Sequence, residues 1–445
     1  MTSAAVRARV TTPAGTARCS HLVIAPAEPV APTWFEAAGF GMFVHWDHAS
    51  QQGLELSWPM VGGVFALPKC QAVPVAQYHS SAATFDPRRW DAPALARHAR
   101  DAGMRYGVLT AKHHSGYAMF HTAVSTFSVE HSPFGRDIVG EFVDAFRSEG
   151  LRVGLYYSLS DWSHPDYPAF TDEARPYSFG LSPSPSPEGW ARYVEYLFAQ
   201  VRELLTNYGQ IDVLWFDGGW ERSAAQWHSA ELDALIRSLQ PEILVNERLP
   251  GCGDFDTPEQ FVPAVAPARR WETCLTMNDS WGWCPSDTDY KPARSLVHAL
   301  CEVRSRRGNL LLNVSPTGDG SLPPEQIERL TAVGNWMQTH GESIHDVEPG
   351  LEPWQFYGPT TRRGDTVYLH LLMRPYDEIA VRGVHPRRAR GARVLGSSTP
   401  LEMSERVGVL DRLTQDPVGE LRIAIPPAAL DDLATVIAVE FAGGP

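Results

Sequence analysis

The chain of 445 residues predicts a TIM-like (β/α)-barrel followed by an all-β sandwich. Three observations carry that reading. Short apolar strands alternate with amphipathic helices from residue 41 to residue 338, six consecutive strands end in polar or aromatic residues, and beyond residue 346 only short strands and turns remain. Apolar strands separated by such helices call for a parallel sheet covered by helices. Roughly seven units favour a closed barrel, regular or irregular, over an open sheet. A doubly wound sheet would carry a glycine-rich phosphate loop after its first strand, and none stands there.

The elements follow in order. The first strand is 41–46 (GMFVHW). A helical pattern over 92–104 leads to a strand at 106–111, and one over 137–149 to a strand at 151–158. In the clearest helix Val194, Leu197, Phe198, Val201, Leu204, Leu205 and Tyr208 recur at three- and four-residue steps, laying down one apolar stripe that Gly209 ends. The Ser/Pro stretch 180–189 (GLSPSPSPEG) reads as an exposed loop ahead of it. A strand at 211–217 comes next, then a helix at 232–238, strands at 242–247 and 270–273, a helix at 293–304, a strand at 309–314 and a helix from Pro324 to Gln338. Strands at 367–372, 378–382, 392–395, 421–425 and 435–441 make up the sandwich. The expected division is a disordered lead-in over 1–30, a barrel over 31–345 and a sandwich over 346–445.

Composition narrows the function. At 43% hydrophobic and 20% charged the chain can bury a full core, and a net charge of −14 argues against nucleic acid or an anionic membrane as partner. No stretch is long and apolar enough to span a bilayer. The first residues carry positive charge without an apolar run, so a cytoplasmic location is expected. Six cysteines lack CxxC spacing, which indicates neither a zinc site nor a disulfide framework, although Cys252, Cys274 and Cys284 share one region.

In (β/α)-barrels chemistry collects at the C-terminal ends of the strands. Here those ends hold His45-Trp46-Asp47-His48, Lys112-His113-His114, Tyr156-Tyr157-Ser158, Asp217, Asn246-Glu247-Arg248 and Trp271-Glu272. Asp217 is the most informative. In LWFDGGW a strand stops at a carboxylate followed by two glycines, so the acid sits at the sheet's edge where a ligand can approach. Alone, such an acid could cap the next helix; six converging strand ends make it part of a site. His113 and His114 could suit a metal. Neighbours on a strand point to opposite faces, however, and no further Cys, Asp or His cluster accompanies them. Hydrogen bonding of hydroxyls fits better, and no metal or cofactor is expected. Tyr157 also suits the core, and Arg248 also suits an ion pair with Glu247 or Asp254.

FGMFVHWDHAS, VLTAKHHSGY, GRDIVGEFVDAFRSEGLRVGLYYSLSDW, LWFDGGW, WETCLTMNDSWGW and GNLLLNVSPTGDGSLP resemble the α-L-fucosidases of glycoside hydrolase family 29, in collinear order over residues 33–345. The resemblance implies a retaining exo-glycosidase whose substrate is a fucosylated oligosaccharide or glycoconjugate, with no cofactor. It implies Asp217 as nucleophile. A retaining glycosidase needs one ionised carboxylate and one protonated one about 5 Å apart, and Arg248 is suited to keeping Asp217 charged. For the acid/base, Glu259 in GDFDTPEQ is preferred to Glu272, because an acid on a loop can reach the leaving group whereas one on a strand suits support or hydroxyl binding. Glu247 is expected to be structural. The sugar contacts implied are His45, Trp46, His113, His114, Tyr157, Trp215, Arg248 and Trp281.

The chain departs from the family pattern at three places. Asp47 stands where Gly is common, Ser115-Gly116-Tyr117 replaces Asp-Gly-Phe, and Ser57-Trp58 replaces a Glu-Trp pair. These changes bear on fine sugar specificity, including fucose against L-galactose. The alternatives are a catalytically silent carbohydrate-binding protein, a metal-assisted hydrolase using His113 and His114, and a retaining glycosidase of a related sugar such as an α-L-galactoside. Intact Asp217 and Glu259 favour the enzyme. Linkage preference, aglycone and oligomeric state are not readable from these residues.

Overall fold

The computed structural model describes residues 34–62, 72–168 and 184–445; the expected lead-in lies outside them. Eight parallel strands form the first sheet: β1 (Phe40–Val44), β2 (Tyr106–Lys112), β3 (Arg152–Ser158), β4 (Val213–Asp217), β5 (Leu244–Val245), β6 (Phe255–Asp256), β7 (Arg270–Leu275) and β8 (Asn309–Val314). Their order is β5-β4-β3-β2-β1-β8-β7-β6, and a bridge between Asn246 and Phe255 joins the two ends and closes the barrel.

The barrel is irregular where the sequence pattern was thinnest. β5, β6 and β7 follow one another with no helix between them, and β6 is too short to show a period. The segment carrying Glu259 is therefore tied to the barrel wall: β6 pairs with β7, and Glu259 bridges Cys274. The long helix also starts earlier than expected, at Pro187. Ser186 Oγ accepts Gly189 N–H at 3.1 Å and Pro187 occupies the first turn, so the end of the Ser/Pro stretch is a helix start rather than loop.

Register decides which side chains face the axis. Ser158 pairs with Asp217 and Tyr156 with Trp215, while Tyr157 pairs with Phe216. Side chains alternate faces along a strand, so Tyr156, Trp215 and Asp217 look inward and Tyr157 looks out into the helical layer. The lower end of the barrel is plugged by the helix Trp34–Ala38, where Phe35 packs 4.8 Å from Phe255 and 6.1 Å from Tyr106. Burying a phenylalanine this way is worth roughly 1.5–3 kcal/mol. The opposite, C-terminal mouth stays open.

The C-terminal region forms two antiparallel sheets, β13-β16-β11-β10-β9 and β12-β15-β14. Their strands are β9 (Glu348–Pro349), β10 (Thr360–Arg363), β11 (Thr366–Leu371), β12 (Glu378–Val384), β13 (Ala389–Val394), β14 (Met403–Val407), β15 (Gly419–Ala424) and β16 (Thr435–Phe441). Alternating residues such as Val367 and Leu369, Ile379 and Val381, and Leu421 and Ile423 fill the space between them. β9, β10 and β14 escaped the sequence pattern because they are short or polar. Trp336 of the helix Pro324–His340 donates to Ala434 O at 2.8 Å and ties the domain to the barrel.

No helix among the described residues is long and apolar enough to cross a membrane. Cys284 is disulfide-bonded whereas Cys252, Cys274 and Cys301 are free. The regional grouping of Cys252, Cys274 and Cys284 therefore produces no pair among the three.

Candidate active site

Asp217 is the last residue of β4, and the two glycines after it have steric reasons to be there. Gly218 adopts φ +73, and a Cβ on it would lie 2.4 Å from Ser160 Oγ. A Cβ on Gly219 would lie 2.3 Å from the carbonyl oxygen of Arg248. The turn can therefore bring β4 and the segment after β5 together only with glycine at both places. That approach delivers Arg248 to Asp217.

Asp217 has a donor on each oxygen and an imidazole beside it. Arg248 Nη1 donates to Oδ1 at 2.9 Å, Tyr156 Oη donates to Oδ2 at 2.8 Å, and His114 Nε2 lies 3.7 Å from Oδ2. Burial pushes the carboxyl up, but Arg248 and the Tyr156 hydrogen bond outweigh it and hold Asp217 below the usual carboxylate range. The group stays ionised at neutral pH. Arg248 is itself fixed, with Nε on Thr257 Oγ1 at 3.0 Å and its guanidinium 4.6 Å from the Trp215 ring. Glu247 accepts Thr257 N–H and Oγ1–H, each at 2.9 Å, and so positions the residue that positions Arg248.

Glu259 meets the same arginine from the other side, accepting Nη2–H at 2.8 Å. Its side chain is 39% exposed against 10% for Asp217. Glu272 occupies a different layer. It is 1% exposed and buried beneath Trp215, whose indole N–H it accepts at 3.1 Å; Tyr106 donates to its other oxygen. Along β7 the residue that reaches the pocket is Cys274, two positions on and facing the same way. Burial raises Glu272 to about 7, against the hydrogen bonds from Tyr106 and Trp215.

The cavity above Asp217 measures about 560 Å³. Of the expected contacts His45, His113, Trp215, Arg248 and Trp281 line it. His114 abuts Asp217 from behind. Tyr157 and Trp46 do not take part. Tyr157 Oη donates outward to Gln200 at 2.9 Å, and Trp46 stacks on Trp90 at 4.8 Å while donating to Thr317 O at 3.1 Å. In both cases alternation puts the preceding residue, Tyr156 or His45, on the inner face. Tyr156 was the missed site residue; counting two back from Ser158, the register partner of Asp217, would have found it. Trp58 and Trp220 form the outer rim, near parallel at 6.5 Å.

His113, His114 and Asp217 could also supply three metal ligands, their atoms lying within 4.8 Å of one another. Arg248 already supplies Asp217 with a positive charge, however, and the Nδ1 of each histidine is held by serine at 2.6 Å. What remains toward the aromatic-walled pocket is a neutral nitrogen of His113, which suits a ring hydroxyl beside an apolar sugar face.

Two carboxylates joined through one guanidinium at the mouth of a barrel are an arrangement that suits a glycoside hydrolase. The family model for α-L-fucosidase matches residues 25–342. The chain is 30% identical to mouse tissue α-L-fucosidase over 439 residues, covering 92% of this chain and 90% of that protein. Among solved structures, α-L-fucosidase isoenzyme 1 from Paenibacillus thiaminolyticus superposes with a TM-score of 0.81 at 36% identity, covering 92% of this chain and 98% of that one. A Bacteroides thetaiotaomicron α-L-fucosidase trapped as a covalent intermediate shares the fold at 23% identity and a TM-score of 0.78, over 92% and 95% of the two chains. The chain belongs to the α-L-fucosidase family.

Proposed function

We propose that Asp217 and Glu259 carry a double displacement by which this protein hydrolyses terminal α-L-fucosides with retention. The observation that supports this most is the guanidinium of Arg248, bonded to both acids. Asp217, held charged by Arg248 and Tyr156, attacks the anomeric carbon while Glu259 protonates the departing oxygen. Once Asp217 is esterified its charge is gone, and Arg248 then faces Glu259 alone. Glu259, having given its proton to the leaving group, then accepts one from the attacking water in the second step. Glu259, on the exposed side, can reach an aglycone; Glu272, sealed under Trp215, serves as a support for that ring.

The walls suit a 6-deoxy sugar: Trp215, Trp281 and Tyr156 offer apolar faces, and the histidines offer hydrogen bonds. A fucosylated oligosaccharide or glycoconjugate is the substrate class in this reading. The decisive experiment is Asp217→Gly assayed on an aryl α-L-fucoside with and without azide. Turnover should fall by at least about a thousandfold and be partly restored by azide as a glycosyl azide of inverted configuration. Full activity in that variant would sink the assignment. The disulfide at Cys284 suits an oxidising compartment.

A further inference from the structure

The three departures from the family pattern meet behind His113. Ser115 Oγ donates to Asp47 Oδ2 at 3.0 Å, and Ser115 N–H donates to Ser57 Oγ at 2.8 Å. Ser57 Oγ lies 2.6 Å from His113 Nδ1. All of these residues are buried. A serine oxygen that accepts a backbone N–H still has its own proton to place. His113 Nδ1, at 2.6 Å, is placed to take it.

We propose that Ser57 fixes the proton on His113 and so sets the hydrogen-bonding polarity of the pocket. Ser57 Oγ–H fills Nδ1, and His113 presents Nε2–H as a donor, while His45 presents a bare Nε2 acceptor. The proposal rests on reading the cavity as an L-fucose site.

The opposite setting of the other two rings follows from their partners. Asn313 donates its amide N–H to Trp281 O at 2.7 Å, so its oxygen is what faces His45 Nδ1 at 2.8 Å, and that nitrogen carries the proton. Ser158 Oγ donates to Ser160 O at 2.7 Å and therefore accepts from His114 Nδ1 at 2.6 Å. His114 Nε2 lies beside Asp217, 3.7 Å from Oδ2, and outside the cavity lining. Burial keeps all three rings neutral, lowering His45 to about 3, His114 to about 4 and His113 well below its usual value. One donor and one acceptor side by side select a sugar with one accepting and one donating hydroxyl at this wall. Fluorine accepts weakly and cannot donate. A monofluorinated L-fucose should be tolerated only where the replaced hydroxyl faces His113.

Ser57 adopts φ +60, a conformation glycine enters freely. Ser57→Gly thus removes the hydroxyl while relaxing the backbone, and the variant should fold. The test is nitrogen-15 NMR of the histidines in the free protein, together with calorimetric binding of L-fucose and its monofluoro derivatives. In the wild type His113 should be the Nε2–H tautomer, and His45 and His114 the Nδ1–H form. In Ser57→Gly the His113 signals should shift, L-fucose should bind about tenfold more weakly, and the tolerance for one fluorosugar should disappear. An Nδ1–H His113 in the wild type, or a Ser57→Gly spectrum identical to it, overturns the proposal. Failure of L-fucose to bind the wild type would overturn the fucosidase reading instead, since the tautomers are read without sugar.

Discussion

Arg248 holds Asp217 at 2.9 Å through Nη1 and, through Nη2, reaches Glu259 at 2.8 Å. One rigid fork thus spans the buried acid and the exposed one, and Thr257 and Trp215 keep it from turning. Planar bidentate geometry of this kind is something lysine cannot copy.

Arg248→Lys should therefore lose activity on the order of a hundredfold. With the cation weakened, Asp217 takes up a proton at higher pH than in the wild type. The acid limb of the kcat/KM profile should move upward, because activity requires the ionised form and is lost as pH falls through the Asp217 pKa. A profile superimposable on the wild type would contradict the role given to Arg248.

Glu259→Ala and Glu272→Ala separate the two candidate acids. Loss of the true acid should slow a poor leaving group by about a hundredfold or more and a dinitrophenyl group far less. Glu259→Ala should show that split. Glu272→Ala should instead slow both substrates alike, through a displaced Trp215.

The tyrosine pair gives a contrast within one dipeptide. Tyr156→Phe removes a donor from Asp217 and should cost roughly tenfold in kcat. Tyr157→Phe removes only the bond to Gln200, so kcat/KM should hold while stability to urea falls by about 1 kcal/mol. Equal kinetic effects would mean that the inward register of β3 is wrong.

Glu272 makes stability depend on pH. Its carboxyl titrates near 7 in the fold because burial disfavours the charge, against an ordinary value of about 4.3. The folded protein therefore holds a proton that the unfolded chain releases, so this contribution is full below the unfolded value, declines as pH rises towards about 7 and is flat above. Glu272→Gln, permanently neutral, should gain roughly 1–3 kcal/mol relative to wild type between pH 5 and pH 8. Comparing the two by thermal melts cancels Asp47 and Glu55, which burial also raises, to about 6 and about 7. A constant difference across that range would refute the buried titration.

Period and strand-end chemistry were enough to read the long elements. The helix around Val194–Tyr208 and the strand ending at Asp217 carry strong patterns, and residues 309–314 were legible to the residue. β6 was not, because Phe255–Asp256 is held by pairing with β7 and not by any pattern of its own. Trp46 and Tyr157 turn away from the mouth for a related reason: register, not residue type, sets which of two neighbours at a strand end faces inward.

The sequence by itself determined the barrel, the place of Asp217 at a strand end and the segment that carries Glu259, since these rest on local periods, on a carboxylate before two glycines and on collinear motifs. Tertiary structure decided which side chains share the cavity. Facing depends on strand register and closure, and those are long-range pairings that no local stretch encodes. Only the fold could show that Arg248 bridges Asp217 and Glu259, that Glu272 lies one layer beneath them, and that Asp47, Ser57 and Ser115 converge on a single histidine.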